Sequence, residues 1–310
     1  MLRLTRKQAA LLLAGFMAAF VTACKSSQPS DGTPSVLHYS FIPSQEEMQD
    51  NSVRASLMKK YLTAELHIPV EIVNASSYAP TIEAMRAGKV EIATFGPLSY
   101  IIASEKARAE AIVTLGTPDG KLASYNSILV VPKNSPLHSI ADLKAHAKSL
   151  NFVFVDPAST SGYLIPRAYL ESVGINPEKD FGKVVFSGNH LASVMAIKSG
   201  KGDVGPVMQQ MLIPRLIAMG QLAPDDLRTL WTSDPIPESP ICVRNSLPAP
   251  LKQKIRQALL DIPQKDPALW KVIQDFYRRP GMTFVSTQDS DYDGLRKFAA
   301  QLKDFNLNEK

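Results

Sequence analysis

The sequence predicts an α/β fold in two lobes, on three observations. Short apolar runs alternate with helix-like segments along most of the chain. Gly and Pro punctuate the joins between them. After an N-terminal leader with an apolar run and a polar stretch to residue 35, 310 − 35 = 275 residues remain, a length that suggests two lobes. In chain order the expected elements are a strand Val36–Phe41, a helix Glu46–Leu66, a strand Val70–Asn74, a helix Ala79–Ala87 closed by Gly88, and a strand Glu91–Phe95. This β-α-β alternation predicts a largely parallel sheet. It continues through Ile128–Val131 and Phe152–Val155, a helix Gly162–Ser172, a strand Val184–Phe186, and helices Leu191–Ser199 and Gln210–Met219. Beyond Leu230 the strand Ile241–Val243 leads into a tail expected to be all helical, Pro250–Asp261, Pro267–Tyr277 and Asp289–Leu302.

At the N-terminus, Arg3, Arg6 and Lys7 precede an apolar run from Ala9 to Val21 that ends in Val21-Thr22-Ala23-Cys24. The run is short for a membrane span, which takes about 20 apolar residues, and small residues stand at the expected cut, so 1–23 reads as a signal peptide. The four-residue ending resembles a bacterial lipobox, in which the cysteine is acylated and becomes the first mature residue. Cys24 is then a lipid anchor, and the protein is secreted across the inner membrane and held facing the periplasm, or at the cell surface of a Gram-positive bacterium. The alternative is an ordinary signal peptide cut at a nearby alanine. Residues 24–35, rich in Ser and Pro with Gly32, read as a flexible tether.

Removing 1–23 takes away three positive charges, so the net charge of +5 becomes 5 − 3 = +2. Global charge therefore gives no support to a nucleic-acid partner. With Cys24 acylated, Cys242 stands alone in the apolar run Ile241-Cys242-Val243, which excludes an internal disulfide and reads as a buried small hydrophobe. No cysteine or histidine spacing suggests a metal, and no phosphate-binding GxxxxGK[ST] loop suggests a nucleotide cofactor.

The segment of greatest chemical weight is Asp156-Pro157-Ala158-Ser159-Thr160-Ser161-Gly162, between an apolar strand and an apolar-periodic helix. The first N–H groups of a helix lack internal partners and carry about half a positive charge, so such an end attracts anions. Ser159, Thr160 and Ser161 add three hydroxyl donors where a helix cap needs one, and Gly162 is expected to let a ligand approach closely. The plainer reading is an N-cap with extra hydroxyls.

That turn, with Leu164-Ile165-Pro166 after it, resembles the phosphate, phosphite and phosphonate substrate-binding proteins of ABC transporters. The likeness extends in order through Ser77-Tyr78-Ala79, Ala93-Thr94-Phe95-Gly96-Pro97, Tyr125-Asn126-Ser127, Phe186-Ser187-Gly188-Asn189-His190, Gly202-Asp203-Val204 and Ile236-Pro237-Glu238-Ser239-Pro240. It implies a type II periplasmic-binding-protein fold, two α/β lobes joined by two crossover strands with the ligand in the cleft. On that pattern the crossovers fall near Tyr125–Ile128 and Leu230–Ser233, lobe 1 comprises 36–126 with 231–310, and lobe 2 comprises 127–230. The resemblance further implies a monomer that hands its anion to a permease and ATPase, and ligand contacts from Tyr78, Tyr125, Ser159, Thr160, Ser161 and His190. Taken without the family, Tyr78 and Tyr125 also suit packing, and His190 suits a structural role. Family members that take an aminoalkyl phosphonate pair its ammonium with two acids, whose places are held here by Gln210 and Ser239. These are further candidate ligand residues, and their neutrality implies an anion without an amino group, unless Glu238 swings inward.

Two other classes are compatible with the residues. A sensory binding protein that presents an oxyanion to a membrane receptor kinase would share the fold and the site. An enzyme would use a hydroxyl of Ser159–Ser161 as nucleophile with His190 as base and Asp203 as orienter, but no Gly-x-Ser-x-Gly elbow accompanies them, and no catalytic residue is expected.

Overall fold

A computed structural model describes residues 32–41, 49–75 and 77–302. The expected signal peptide, Cys24 and most of the expected tether lie outside the described residues. The chain divides into two units between Ser35 and Val36, and all that follows concerns the second. Among the described residues no helix is long and apolar enough to cross a membrane.

The first lobe is built on a six-stranded sheet with strand order β13-β4-β12-β3-β1-β2. Its strands are β1 (Leu37–Ser40), β2 (Val70–Val73), β3 (Ile92–Thr94), β4 (Ala109–Gly116), β12 (Ile241–Arg244) and β13 (Thr283–Ser286). Helix α1 (Gln49–Leu66) links β1 to β2, and α2 (Tyr78–Arg86) links β2 to β3. These crossovers make β1 parallel to both neighbours. The returning chain makes the rest of the sheet antiparallel: β12 runs against β3 and β4, and β13 against β4. The sheet is therefore mixed and not largely parallel.

The second lobe holds β6 (Ser127–Pro132), β9 (Gly205–Met208) and β10 (Leu227–Thr232) in the antiparallel order β10-β6-β9. Beside them run β7 (Asn151–Phe154) and β8 (Lys183–Phe186), a parallel pair joined to the sheet where the Val153 N–H donates to the Val204 carbonyl at 2.9 Å. The lobes are connected where β5 (Ser124–Tyr125) pairs antiparallel with β11 (Ile236–Pro237). Asn126, Ser127 and Ser233 stitch these two connections together: Asn126 Nδ2 donates to the Ser233 carbonyl at 2.7 Å, and the Ser127 N–H to Ser233 Oγ at 2.9 Å. Two α/β lobes joined by two strands is the architecture the resemblance implies.

Several helices differ from expectation. Helix α3 (Pro97–Ala107) was not anticipated, because it is buried along nearly its whole length and carries no amphipathic stripe. The tail is not all helical. Helices α9 (Ala249–Lys265) and α10 (Pro267–Tyr277) pack on α1 and on each other, then β13 adds to the sheet edge before α11 (Asp293–Gln301). Cys242 sits fully buried in β12, and burial pushes its thiol well above the usual range. The apolar core runs continuously from Phe95 and Leu98 of the first lobe to Phe154 and Leu164 of the second, so the lobes are closed on one another.

Candidate functional site

The hydroxyl-rich turn begins where β7 ends. Asp156 braces it, its Oδ1 accepting the Ala158 N–H at 2.8 Å and its carbonyl the Ser159 N–H at 2.9 Å. The next turn is wide: the Leu164 N–H reaches back five residues to the Ser159 carbonyl at 3.1 Å, giving a π-helical turn over Thr160–Leu164 that continues into α5 (Ile165–Ser172). Gly162 corrects the expectation placed on it. A Cβ there would meet Val155 at 2.4 Å and Ser159 Oγ at 2.7 Å, so its missing side chain seats the turn on the strand and leaves no opening for a ligand.

Three groups surround this turn. Helix α7 (His190–Lys198) starts after Gly188, whose φ of +85° swings the chain so that Asn189 caps the helix through the Ala192 N–H at 2.7 Å. That places His190 at the first helical position, with its Nδ1 accepting the Met208 N–H at 3.3 Å. Nε2 therefore carries the proton and points at Ser159 Oγ and Ser161 Oγ, each at 3.4 Å. Burial lowers the imidazole to about 4, so it is neutral at physiological pH. From the crossover, Tyr125 reaches the side chains of Ser161 and Thr160. Burial raises its phenol, with Glu238 and Tyr78 nearby adding to the effect, so it stays an O–H donor. From the first lobe, Thr160 Oγ1 accepts the Leu98 N–H at 2.8 Å, at the start of α3.

Tyr78, Tyr125, Ser159, Thr160, Ser161 and His190 are all at most 3 % exposed, and none bears a charge at neutral pH by its chemistry or its burial. Four helical starts, at Tyr78, Pro97, Thr160 and His190, contribute to this cluster. The hydroxyl, phenol and imidazole protons of these side chains form a shell of neutral donors, the complement of a compact oxyanion. Sequence reasoning missed the Leu98 contact, although Gly96-Pro97 directly after a strand is a helix-start signal. It also missed Ser127, whose hydroxyl fixes the turn by donating to the Ser161 carbonyl at 2.6 Å.

Gln210 and Ser239 lie beside the cluster and not within it. With Tyr125, Met208, Glu238 and Arg279 they line a cavity of about 10 Å³. Gln210 is held by Asn126, accepting its N–H at 2.7 Å and donating to its side-chain oxygen. Glu238 lines the same cavity as Tyr125, and its Oε1 accepts from Arg279 Nη1 at 2.5 Å. Asp203 accepts the Asn151 N–H at 2.7 Å and so braces the start of β7. His190 Nδ1 faces Met208 and not a carboxylate, so the serine, histidine and aspartate do not assemble as a catalytic triad. A larger groove of about 640 Å³ opens elsewhere, between Tyr169, Trp231, Phe298 and Leu302, with Asp234 and Asp291 in its wall. Apolar rings and carboxylates repel an anion, so the smaller donor cluster is the candidate site. Among the described residues no group of three or more His, Cys, Asp or Glu could hold a metal.

A family model described as "ABC transporter, phosphonate, periplasmic substrate-binding protein" matches residues 39–292. The phosphate-import protein PhnD of Mycolicibacterium smegmatis is 30% identical over 255 residues, covering 78% of each chain. The binding-protein component of a Pseudomonas aeruginosa ABC phosphonate transporter superposes with a TM-score of 0.76 at 27% identity, covering 85% of each chain. PhnD1 of Prochlorococcus marinus, solved in complex with methylphosphonate, superposes with a TM-score of 0.73 at 25% identity, over 87% of this chain and 98% of the other. The closed two-lobed α/β architecture is that of the type II periplasmic binding proteins, and the chain belongs to the periplasmic substrate-binding family of phosphonate ABC transporters.

Proposed function

We propose that this protein captures a small phosphorus oxyanion lacking an amino group, such as methylphosphonate, phosphite or phosphate, and delivers it to an ABC permease and ATPase. The observation that carries this reading is the buried shell of neutral donors around Ser159–Ser161. A tetrahedral anion needs several hydrogen bonds at once, and hydroxyls that accept from Gly162, Leu98 and His190 keep their own protons to donate. Tyr78, Tyr125, Ser159, Thr160, Ser161 and His190 make the contacts, while Gln210 and Ser239 face the substituent. His190 presents Nε2–H to the serines, a donor and not a base, which favours binding over catalysis.

We draw the lobes as 36–126 with 231–310, and 127–230. Support comes from sheet membership: β1–β4, β12 and β13 share one sheet, while β6 and β9 share the other with the crossing strand β10. The protein acts as a monomer anchored through acylated Cys24, with 24–35 as the tether. The lipobox-like ending supports this anchor.

Titration calorimetry on the purified protein tests the reading, using phosphite, methylphosphonate, ethylphosphonate, phosphate and 2-aminoethylphosphonate. Tight binding of at least one amine-free anion is expected. Heat from none of the five, or a preference for 2-aminoethylphosphonate, overturns it.

A further inference from the structure

Among the described residues, the cavity next to the donor cluster is lined by one acid, Glu238, and one base, Arg279. Tyr125 belongs to both the cluster and this cavity, which puts the Glu238–Arg279 pair next to an anion held by Ser159–Ser161. The cavity of about 10 Å³ admits a group no larger than about one water molecule.

Glu238 is fully committed within this wall. Oε1 accepts from Arg279 Nη1 at 2.5 Å, and Oε2 accepts the Ser239 N–H at 3.3 Å. Its backbone is fixed on both sides, with its N–H on the Ala123 carbonyl at 3.1 Å and its carbonyl accepting from the Tyr292 hydroxyl at 3.1 Å. The Arg279 side chain arrives by way of a helix stop: α10 ends at Tyr277, Arg278 takes the left-handed conformation at φ +52°, and the chain turns back so that the guanidinium lies against Glu238. The two side chains are 16 % and 9 % exposed, so their charges cancel in a poorly solvated place. Even with Arg279 beside it, burial leaves the Glu238 carboxyl above its ordinary range, which marks how strongly this wall depends on a cation.

We propose that Arg279 is the specificity-determining residue of the substituent pocket: by occupying Glu238 it withholds the one carboxylate among the pocket's described lining residues from an alkylammonium and confines the site to anions with small uncharged substituents. An ammonium entering the wild-type pocket meets a guanidinium and a spent carboxylate. With Arg279 replaced by a neutral residue, the same ammonium meets an unpaired buried carboxylate and space vacated by the guanidinium. Arg279 does not touch the bound phosphorus oxygens in this scheme; it acts through Glu238.

This inference rests on the proposed anion site, and the two fail separately. Calorimetry compares methylphosphonate with 2-aminoethylphosphonate on wild type, Arg279→Gln and the double variant Glu238→Gln/Arg279→Gln. Wild type is expected to favour methylphosphonate by about 100-fold or more. Arg279→Gln should shift that ratio at least 10-fold toward 2-aminoethylphosphonate. The double variant, which leaves no unpaired charge and so keeps its fold, should return to within about 3-fold of the wild-type ratio. Where Arg279→Gln is too unstable for calorimetry, 2-aminoethylphosphonate should raise its melting temperature more than methylphosphonate does. A wild type that binds methylphosphonate, with an Arg279→Gln ratio or melting response like its own, overturns the role of Arg279 alone. So does a double variant that itself shifts toward the amine. A wild type that binds neither of these two anions overturns this inference, and it removes the anion site as well only where phosphite, phosphate and ethylphosphonate also fail to bind.

Discussion

The donor cluster works through the tautomer and charge of single side chains, and His190 is the one whose state pH can change. Its Nδ1 is occupied by the Met208 N–H and its Nε2 proton faces Ser159 and Ser161, so an added proton has no acceptor and no solvent. Burial accordingly lowers the group to about 4, against about 6.5 in the unfolded chain. Between those values the unfolded state binds the extra proton and the folded state does not, so stability falls as pH drops from about 6.5 toward 4. The depressed histidine destabilises the fold in acid and contributes nothing above about pH 7.5. Between pH 7.5 and 4.5, wild type is expected to lose about 2 kcal/mol more than His190→Gln, which keeps a donor but has no such titration. Urea denaturation at both pH values measures this difference directly, because the carboxylates titrate alike in both proteins. Parallel pH profiles for the two proteins would show that His190 is solvated and not held as described.

At the scale of elements, the hydroxyl turn depends on how tightly it lies on β7. Gly162 has its Cα against Val155, and its carbonyl accepts the Val155 N–H at 3.0 Å. Gly162→Ala forces a methyl into 2.4 Å contact with Val155 and should cost about 1–3 kcal/mol, displacing Ser159 and Ser161 and weakening anion binding. Gly294→Ala is the control. It lies in α11 with nothing within 4 Å, and its better helix propensity should leave stability unchanged or raise it by up to about 1 kcal/mol. Equal thermal shifts for the two variants would contradict the packing assigned to Gly162. The hydroxyl turn was legible in the sequence because its signal is local: a strand, three hydroxyls, a glycine and a periodic helix in one stretch. So were most helices with an apolar stripe and the strands β1, β2, β3 and β12 of the first lobe. Elements whose environment is set from a distance were not. Helix α3 is buried too completely to show a stripe, and β4, with its Ala-Glu-Ala start, gains its strand character from pairing with both β12 and β13. The mixed sheet escaped for a related reason, since antiparallel pairing by β12 and β13 joins segments more than 100 residues apart. Likewise, that Glu238 is held by Arg279, 41 residues away, is a tertiary fact that no local pattern announces.

For the whole molecule, capture means that closing the lobes must be nearly balanced, so that the ligand's contribution decides it. Among the contacts between the lobes in the closed arrangement are the Thr160–Leu98 hydrogen bond and the Arg215 guanidinium of α8 (Leu212–Ala218) over the Phe276 ring of α10 at 4.2 Å. Phe276 also receives the Arg54 guanidinium of α1 at 4.0 Å, so one first-lobe ring lies under cations from both lobes. Arg215 is 2 % exposed, and a desolvated cation on a ring contributes about 1–2 kcal/mol. Replacing the ring with an aliphatic side chain removes that attraction from the closed state and leaves unchanged an open state in which Arg215 is away from the ring. Phe276→Leu should therefore shift the population toward the open form and weaken methylphosphonate binding about 10-fold, since apparent affinity scales with the fraction of molecules able to close. The change should lie in the dissociation rate, because an open protein meets its ligand as readily as before while a loosely held one releases it sooner. Small-angle scattering with and without saturating methylphosphonate supplies the second readout: the variant's radius of gyration should contract on binding by more than wild type's. Unchanged affinity with equal contraction would mean that Arg215 and Phe276 pack without biasing closure.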